Sequence, residues 1–295
     1  MDGFVNLNKP CGLSSHTAMA RVRRLLGTKA GHSGTLDPFA NGVLPLCLGK
    51  CTRLAEYITE LPKSYRGEII FGIATNTYDK DGEITEQLSC DGLSQEIVTA
   101  ALDQFRGTIM QVPPMVSALK FQGKPLYELA RRGEEITREP RRITIYNLQL
   151  IKADFNLDNP RIILDICCSK GTYIRSLAYD LGKAVGCCAH LAALTRTMAG
   201  PFKLSEALSL EQVETMINNN DFSFILPPSY GVAHLPVVTV KGEKALSRVK
   251  HGNEIPLKNA SDIPLCRIET SEDELLAIGQ ITSGILKINK VLVTE

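Results

Sequence analysis

Apolar residues recur at helical spacing after Ser14 and Ser15, where Ala18, Val22, Leu25 and Leu26 share one face and Gly27 follows. That pattern predicts a helix with a serine N-cap and a glycine stop. The same period predicts a second helix over 94–105, with Ile97, Val98, Ala101, Leu102 and Phe105 facing the core. A third is predicted over 173–185, with Ile174, Leu177, Ala178 and Leu181 inward. Period-two alternation predicts strands at 65–71, 142–151 and 161–168, the last with Ile162, Leu164, Ile166 and Cys168 on one face. Between the first helix and the next apolar run, periodicity vanishes. Residues 28–41 (TKAGHSGTLDPFAN) form a polar loop punctuated by Gly and Pro, where chemistry is best placed.

Prolines interrupt the pattern again near 227–236, and short strand-like runs follow at 237–240, 265–268, 275–278 and 286–293. A domain boundary is expected there, with residues 1–230 before it and a small β-rich module at 236–295 after it. The elements lack regular strand–helix alternation and there is no dinucleotide or Walker-type glycine loop. An α+β fold is therefore expected rather than a doubly wound sheet.

Composition narrows the class. The 295 residues are 44% hydrophobic and 22% charged, which excludes a disordered or fibrous chain. The longest apolar stretches, such as 42–49 (GVLPLCLG), fall well short of the roughly 18 residues of a spanning helix. With no basic n-region at the start, a cytoplasmic protein is expected. Nine cysteines, with no CxxC and no zinc-finger spacing, read as small apolar fillers. Cys187 and Cys188 beside His190 offer a thiol–imidazole pair only as a weaker alternative.

The formal charge of +1, from 33 basic and 32 acidic residues, argues against a polyanionic partner only on average. Residues 79–103 hold seven acids and one base, whereas 120–146 hold seven bases and four acids. Screening lets a local basic patch act independently of a distant acidic one, so phosphate binding stays open, with the acidic region expected to face elsewhere.

The sharpest candidate chemistry is His32 with Asp37 and Pro38. A carboxylate in a loop constrained by Pro38 and Gly34 has its direction fixed at little further entropic cost. From spacing alone, an Asx-type turn with a satisfied histidine is the favoured account of the segment.

Residues 31–44 (GHSGTLDPFANGVL) resemble, position by position, the GHxGTLDPxAxGxL signature of the bacterial tRNA pseudouridine synthase B family, TruB type. Residues 8–15 (NKPCGLSS), 63–67 (KSYRG) and 169–175 (SKGTYIR) are similar to three further family motifs in the right order. The resemblance spans about residues 3–230, and the C-terminal module is more loosely similar to the family's PUA-type RNA-binding appendage. It implies a pseudouridine synthase fold with a mixed, mainly antiparallel sheet. It also implies isomerisation of uridine-55 in the tRNA T arm without cofactor or metal. The N-glycosidic bond breaks, the uracil turns over and a C-glycosidic bond forms through C5.

On the same basis Asp37 is the catalytic aspartate, acting by attack on C1′, by addition to C6 or by taking the C2′ proton. Arg175 pairs with Asp37, and Tyr65 stacks on the flipped uracil as a possible proton acceptor near C5, its high pKa managed by Asp37 and Arg175. His32, Tyr173 and Leu194 line the substrate site, with His32 filling the space of the extruded base. Lys9, Lys29 and a mobile basic thumb at 120–142 grip T-arm phosphates. The expected partner is tRNA, met by a monomer.

Overall fold

A computed structural model describes residues 1–117, 119–130, 132–257 and 260–293, and of Lys120 only the backbone. Arg131, one of the expected thumb cations, lies outside the described residues.

In chain order the elements are β1 (Gly3–Lys9), α1 (Ser15–Leu26), β2 (Ala30–His32), β3 (Asn41–Leu48), α2 (Ala55–Glu60), β4 (Lys63–Phe71), β5 (Ile73–Thr75), β6 (Ile84–Gln87), α3 (Gln95–Leu102) and β7 (Gly107–Gln111). There follow β8 (Lys120–Phe121), β9 (Lys124–Pro125), α4 (Leu126–Ala130), β10 (Arg141–Asp154), β11 (Arg161–Cys168), α5 (Ile174–Ala184), β12 (Ala189–Ala199), β13 (Phe202–Lys203), β14 (Leu208–Ser209) and α6 (Leu210–Asn218). The C-terminal part contributes β15 (Val237–Thr239), α7 (Glu243–Lys250), β16 (Ile255–Pro256), β17 (Ile263–Glu269), β18 (Leu275–Thr282) and β19 (Ile285–Val291).

Ten strands form one sheet in the order β14-β1-β3-β12-β4-β11-β10-β7, with β13 attached to β12 and β2 to β3. Only the β1/β14 and β3/β12 pairs are parallel, so the sheet is mixed and mainly antiparallel, and the fold is α+β. On β11 the predicted alternation holds: Ile162, Leu164, Ile166 and Cys168 are buried. The Ser14 side chain accepts from the Thr17 N–H at the start of α1, and Gly27 ends the helix at φ 60.

Two predicted core positions differ. Leu25 and Ile97 are exposed because each lies at the edge of the stripe its helix buries, Leu25 about 20° beyond Ala18 in the stripe Ala18–Met19–Val22 and Ile97 about 40° from Ala101 in the stripe Val98–Ala101–Leu102. The polar loop also contains the short strand β2, pinned to β3 through Ala30↔Leu48 and His32↔Leu46. Helices α6 and α7 were not anticipated. The capping box of Ser209 and Gln212 starts α6.

A second sheet, β15-β17-β18-β19-β16, forms the C-terminal part. Leu275, Ile278 and Leu292 from this part share an apolar cluster with Phe4, Val43 and Cys47, so it packs against the back of the large sheet. Among the described residues no helix is long and apolar enough to cross a membrane.

Candidate active site

The loop between β2 and β3 is held from several directions. The Ser15 hydroxyl donates to the Leu36 carbonyl (3.0 Å) and accepts from its N–H (2.8 Å). The Gly12 N–H donates to the Pro38 carbonyl (2.8 Å). Buried Arg196 of β12 donates to the carbonyls of Gly34 (3.0 Å) and Val43 (2.7 Å). Leu36, Phe39 and Ala40 are buried on either side of Asp37, whose own side chain remains 35% exposed. Gly42 closes the loop at φ +103, and any Cβ there would lie 2.3 Å from the Arg196 carbonyl oxygen. Only glycine lets β3 and β12 approach so closely.

Asp37 is clamped by Arg175, the second residue of α5. Nε and Nη2 meet the two carboxylate oxygens at 2.9 and 3.2 Å, a fork-on-fork geometry. Nη2 also donates to the Val116 carbonyl (2.9 Å) and Nη1 to that of Thr77 (3.1 Å), while Nη1 lies 3.5 Å from Asp79. Every guanidinium N–H thus faces an acceptor, which suits a side chain only 4% exposed. Start-of-helix placement of a cation is explained by this network rather than by the helix dipole, which opposes it.

Asp79 belongs to the segment expected to face elsewhere. It is instead buried, accepting from the Thr77 hydroxyl (2.6 Å) and the Asp81 N–H (3.1 Å). Burial raises its pKa, opposed by the Thr77 hydrogen bond and then by Arg175. The available sequence signal was the run 76–83 (NTYDKDGE), a polar turn directly after a strand. Its charge alone read as surface.

Residues 111–117 strap the start of α5 in place. The Gln111 amide donates to the Tyr173 carbonyl (3.1 Å) and accepts from its N–H (2.9 Å), and the Ser176 hydroxyl donates to the Val112 carbonyl (2.8 Å).

Two spaces open at Asp37. One is a slot of about 250 Å³, with Tyr65, Tyr173, Leu194 and Arg175 in its walls. The other, about 850 Å³, is lined by His16, His32, Tyr78, Tyr127 and Arg138 among others. Asp37 borders both. Tyr65 projects from β4 opposite Arg196, and burial raises its pKa while the Arg196 guanidinium opposes the rise. The cation managing that phenol is therefore Arg196, and Asp37 pushes the pKa up. Burial also raises Tyr173 and lowers His32, leaving a neutral imidazole whose Nδ1 is buried without a hydrogen-bond partner among the described residues.

Lys9 is corrected. It was expected to grip phosphate, but it is fully buried, and its ammonium donates to the carbonyls of Leu13 (2.6 Å), Pro10 (2.8 Å) and Pro38 (3.3 Å). It braces the loop from beneath. Lys63 is likewise buried, donating to the Leu61 (2.6 Å) and Thr59 carbonyls. The Cys187 and Cys188 thiols face the Ser89 and Glu86 carbonyls, and His190 Nδ1 pairs with the Ile73 carbonyl (2.9 Å), so the thiol–imidazole alternative gains no geometry.

Burial lowers Lys9 and Lys63 to about 8 and raises Cys47, Cys51 and Cys168 to about 12. Between pH 8 and 10.5 the unfolded chain holds lysine protons that the folded one has released, so these two groups add stability as pH rises. Between pH 9 and 12 the unfolded thiols ionise first, so these three remove it. Raised Tyr65 and Tyr173 act in the same direction above pH 10. Urea midpoints measured under reducing conditions should hold or rise from pH 8 to 9 and fall from pH 9 to 11. A continued rise above pH 10 would contradict these burials.

The mixed ten-stranded sheet, with the arginine-clamped Asp37 on the loop before β3, belongs to the pseudouridine synthase fold class. The architecture matches an H/ACA RNP bound to a substrate RNA containing 2′-deoxyuridine, with a TM-score of 0.75 and 25% identity over 99% of this chain and 85% of that one. Residues 23–174 match the TruB family pseudouridylate synthase N-terminal domain, and 175–228 the tRNA pseudouridylate synthase B C-terminal domain. The tRNA pseudouridine synthase B of Moorella thermoacetica is 44% identical over 98% of this chain and 99% of its own length. That of Symbiobacterium thermophilum is 50% identical over 85% and 82%. The chain belongs to the TruB family of pseudouridine synthases.

Proposed function

We propose that this isomerase converts uridine-55 in the T arm of tRNA to pseudouridine, with Asp37 as its catalytic carboxylate. The observation that carries this is the fork between Arg175 and Asp37 at the junction of a base-sized slot and a larger, open cavity. The target base is extruded into the slot between Tyr65, Tyr173 and Leu194, whose apolar and aromatic surfaces offset the unstacking cost of a few kcal/mol. Neutral His32 fills the space the base leaves. Arg175 holds the Asp37 carboxylate by both oxygens and directs it at the ribose and base. Glycosidic cleavage, rotation of the uracil and rejoining through C5 then occur inside one walled space, with Tyr65 beside C5 to accept the proton that C5 loses as N1 gains one.

The RNA grip follows from exposed cations. Arg21, Arg23, Arg24 and Lys29 line one shallow depression on the far part of α1, and Arg132, Arg141 and Arg142 are exposed in or beside the thumb. We assign residues 1–230 to catalysis and 236–295 to RNA binding. One chain completes the site, so a monomer in the cytoplasm suffices.

The test is to incubate purified protein with unmodified tRNA transcript and map pseudouridine. Conversion at position 55 and nowhere else is expected, and folded protein that leaves uridine-55 unchanged would overturn the reading.

A further inference from the structure

The large cavity has one wall that the isomerisation itself does not use. Tyr78 and Tyr179 stack there with ring centroids 4.0 Å apart and planes 14° from parallel. Both are half-buried and line the same space as Asp37 and His32. Tyr78 sits at φ 62, a left-handed conformation that bulky residues avoid because Cβ crowds the backbone. Its neighbours impose it: the Tyr78 N–H donates to the Thr75 carbonyl (3.1 Å), and its carbonyl accepts from the Leu191 N–H of β12 (3.0 Å). Strain maintained in this way at a cavity wall marks a position held for a purpose.

The orientation of the ring is set as well. Tyr179 is fixed on α5, with the Lys183 ammonium 4.4 Å from its centroid. Tyr179 covers one face of Tyr78, which itself lines the cavity. Arg138 lines the same cavity, and its Nε is buried without a hydrogen-bond partner among the described residues. A pre-set aromatic face beside an arginine that lines the same cavity is the chemistry that receives a nucleotide, the ring stacking on the base and the cation meeting the phosphate.

We propose that Tyr78 is a stacking platform for an unpaired base of the substrate RNA adjoining the target uridine, with Arg138 meeting that nucleotide's phosphate. The proposal rests on the pseudouridine synthase reading, since Asp37 in the same cavity fixes where the reacting nucleotide lies. Tyr179 and Lys183 act through Tyr78, as its backing.

The experiment uses T-arm hairpins carrying 2-aminopurine at each position flanking the target uridine, with the full-length protein. At one position, binding to the wild type should quench the fluorescence. Tyr78→Phe should retain that quenching and the wild-type Kd. Tyr78→Leu, which keeps apolar bulk against Tyr179, should lose the quenching and weaken binding roughly 5- to 100-fold. Arg138→Gln should weaken binding and flatten its salt dependence by about one phosphate contact while retaining the quenching. Unchanged affinity and quenching in Tyr78→Leu, with the wild type active, would overturn the platform alone. So would a loss of affinity matched by an equal loss in Tyr78→Phe. A wild type that makes no pseudouridine would overturn the functional reading beneath it.

Discussion

Asp37→Asn is expected to reduce single-turnover conversion of uridine by on the order of 10⁴-fold or more, while the Kd for a T-arm hairpin changes by less than about twofold. The substitution keeps the size and shape of the side chain. It also leaves the loop's anchors untouched, because Ser15 holds Leu36, Gly12 and Lys9 hold Pro38, and Arg196 holds Gly34, none through the Asp37 carboxylate. What it removes is a negative charge and one acceptor of the Arg175 fork. Asp37 is partly open to solvent, and the buried Arg175 guanidinium keeps Asp79 and the carbonyls of Thr77 and Val116 as acceptors, so no charge is stranded. The melting temperature should therefore shift by only a few degrees. Substantial residual turnover by mapped, folded Asp37→Asn protein would remove Asp37 from the role of catalytic carboxylate.

Arg175→Ala is expected to fail differently, losing both turnover and stability. The guanidinium serves Asp37, Asp79 and the carbonyls of Thr77 and Val116. Its removal leaves Asp79 buried and, among the described residues, without a counter-cation, and breaking a buried pair in that way costs about 3–5 kcal/mol. Turnover should fall on the order of 10³-fold, as expected when a preorganised charge is removed from a site screened from water. The two losses can be separated. Adding Asp79→Asn to Arg175→Ala neutralises the stranded carboxylate, so urea denaturation should recover at least half of the lost stability. Turnover should not return with it, because Asp37 still lacks its clamp. Recovery of both would mean that Arg175 serves the fold alone. Arg175→Lys should sit between the extremes, since it restores a charge but not the planar fork.

These expectations depend on contacts of unequal visibility in the chain. Helix α1, strand β11 and helix α5 were legible because their apolar spacing matches the periods of helix and strand, and because Ser14 and Gly27 are local punctuation. The loop around Asp37 was legible as a loop, and its ordered motif marked Asp37, Tyr65 and Arg175 for one site. The exposed positions Leu25 and Ile97 were not, because hydrophobicity fixes a helical stripe only to within the width of a face, and the neighbour it packs on selects the rest.

By itself, then, the sequence determined the α+β class, the principal elements and the family, and it marked Asp37 as the candidate for the catalytic carboxylate proposed here, all of which are written in local spacing and residue type. Tertiary structure alone decided which charges do what. Lys9, which looked like a phosphate ligand, ends in the interior on three carbonyls. Asp79, which looked like surface acid, ends against Arg175, although 96 positions separate the two. Arg196 replaces Arg175 as the cation beside Tyr65 because β12 and β4 pair in that register. The physical reason is common to the three cases. A charge advertises its need for a partner or for water, but only chain packing over long separations determines which of the two it receives.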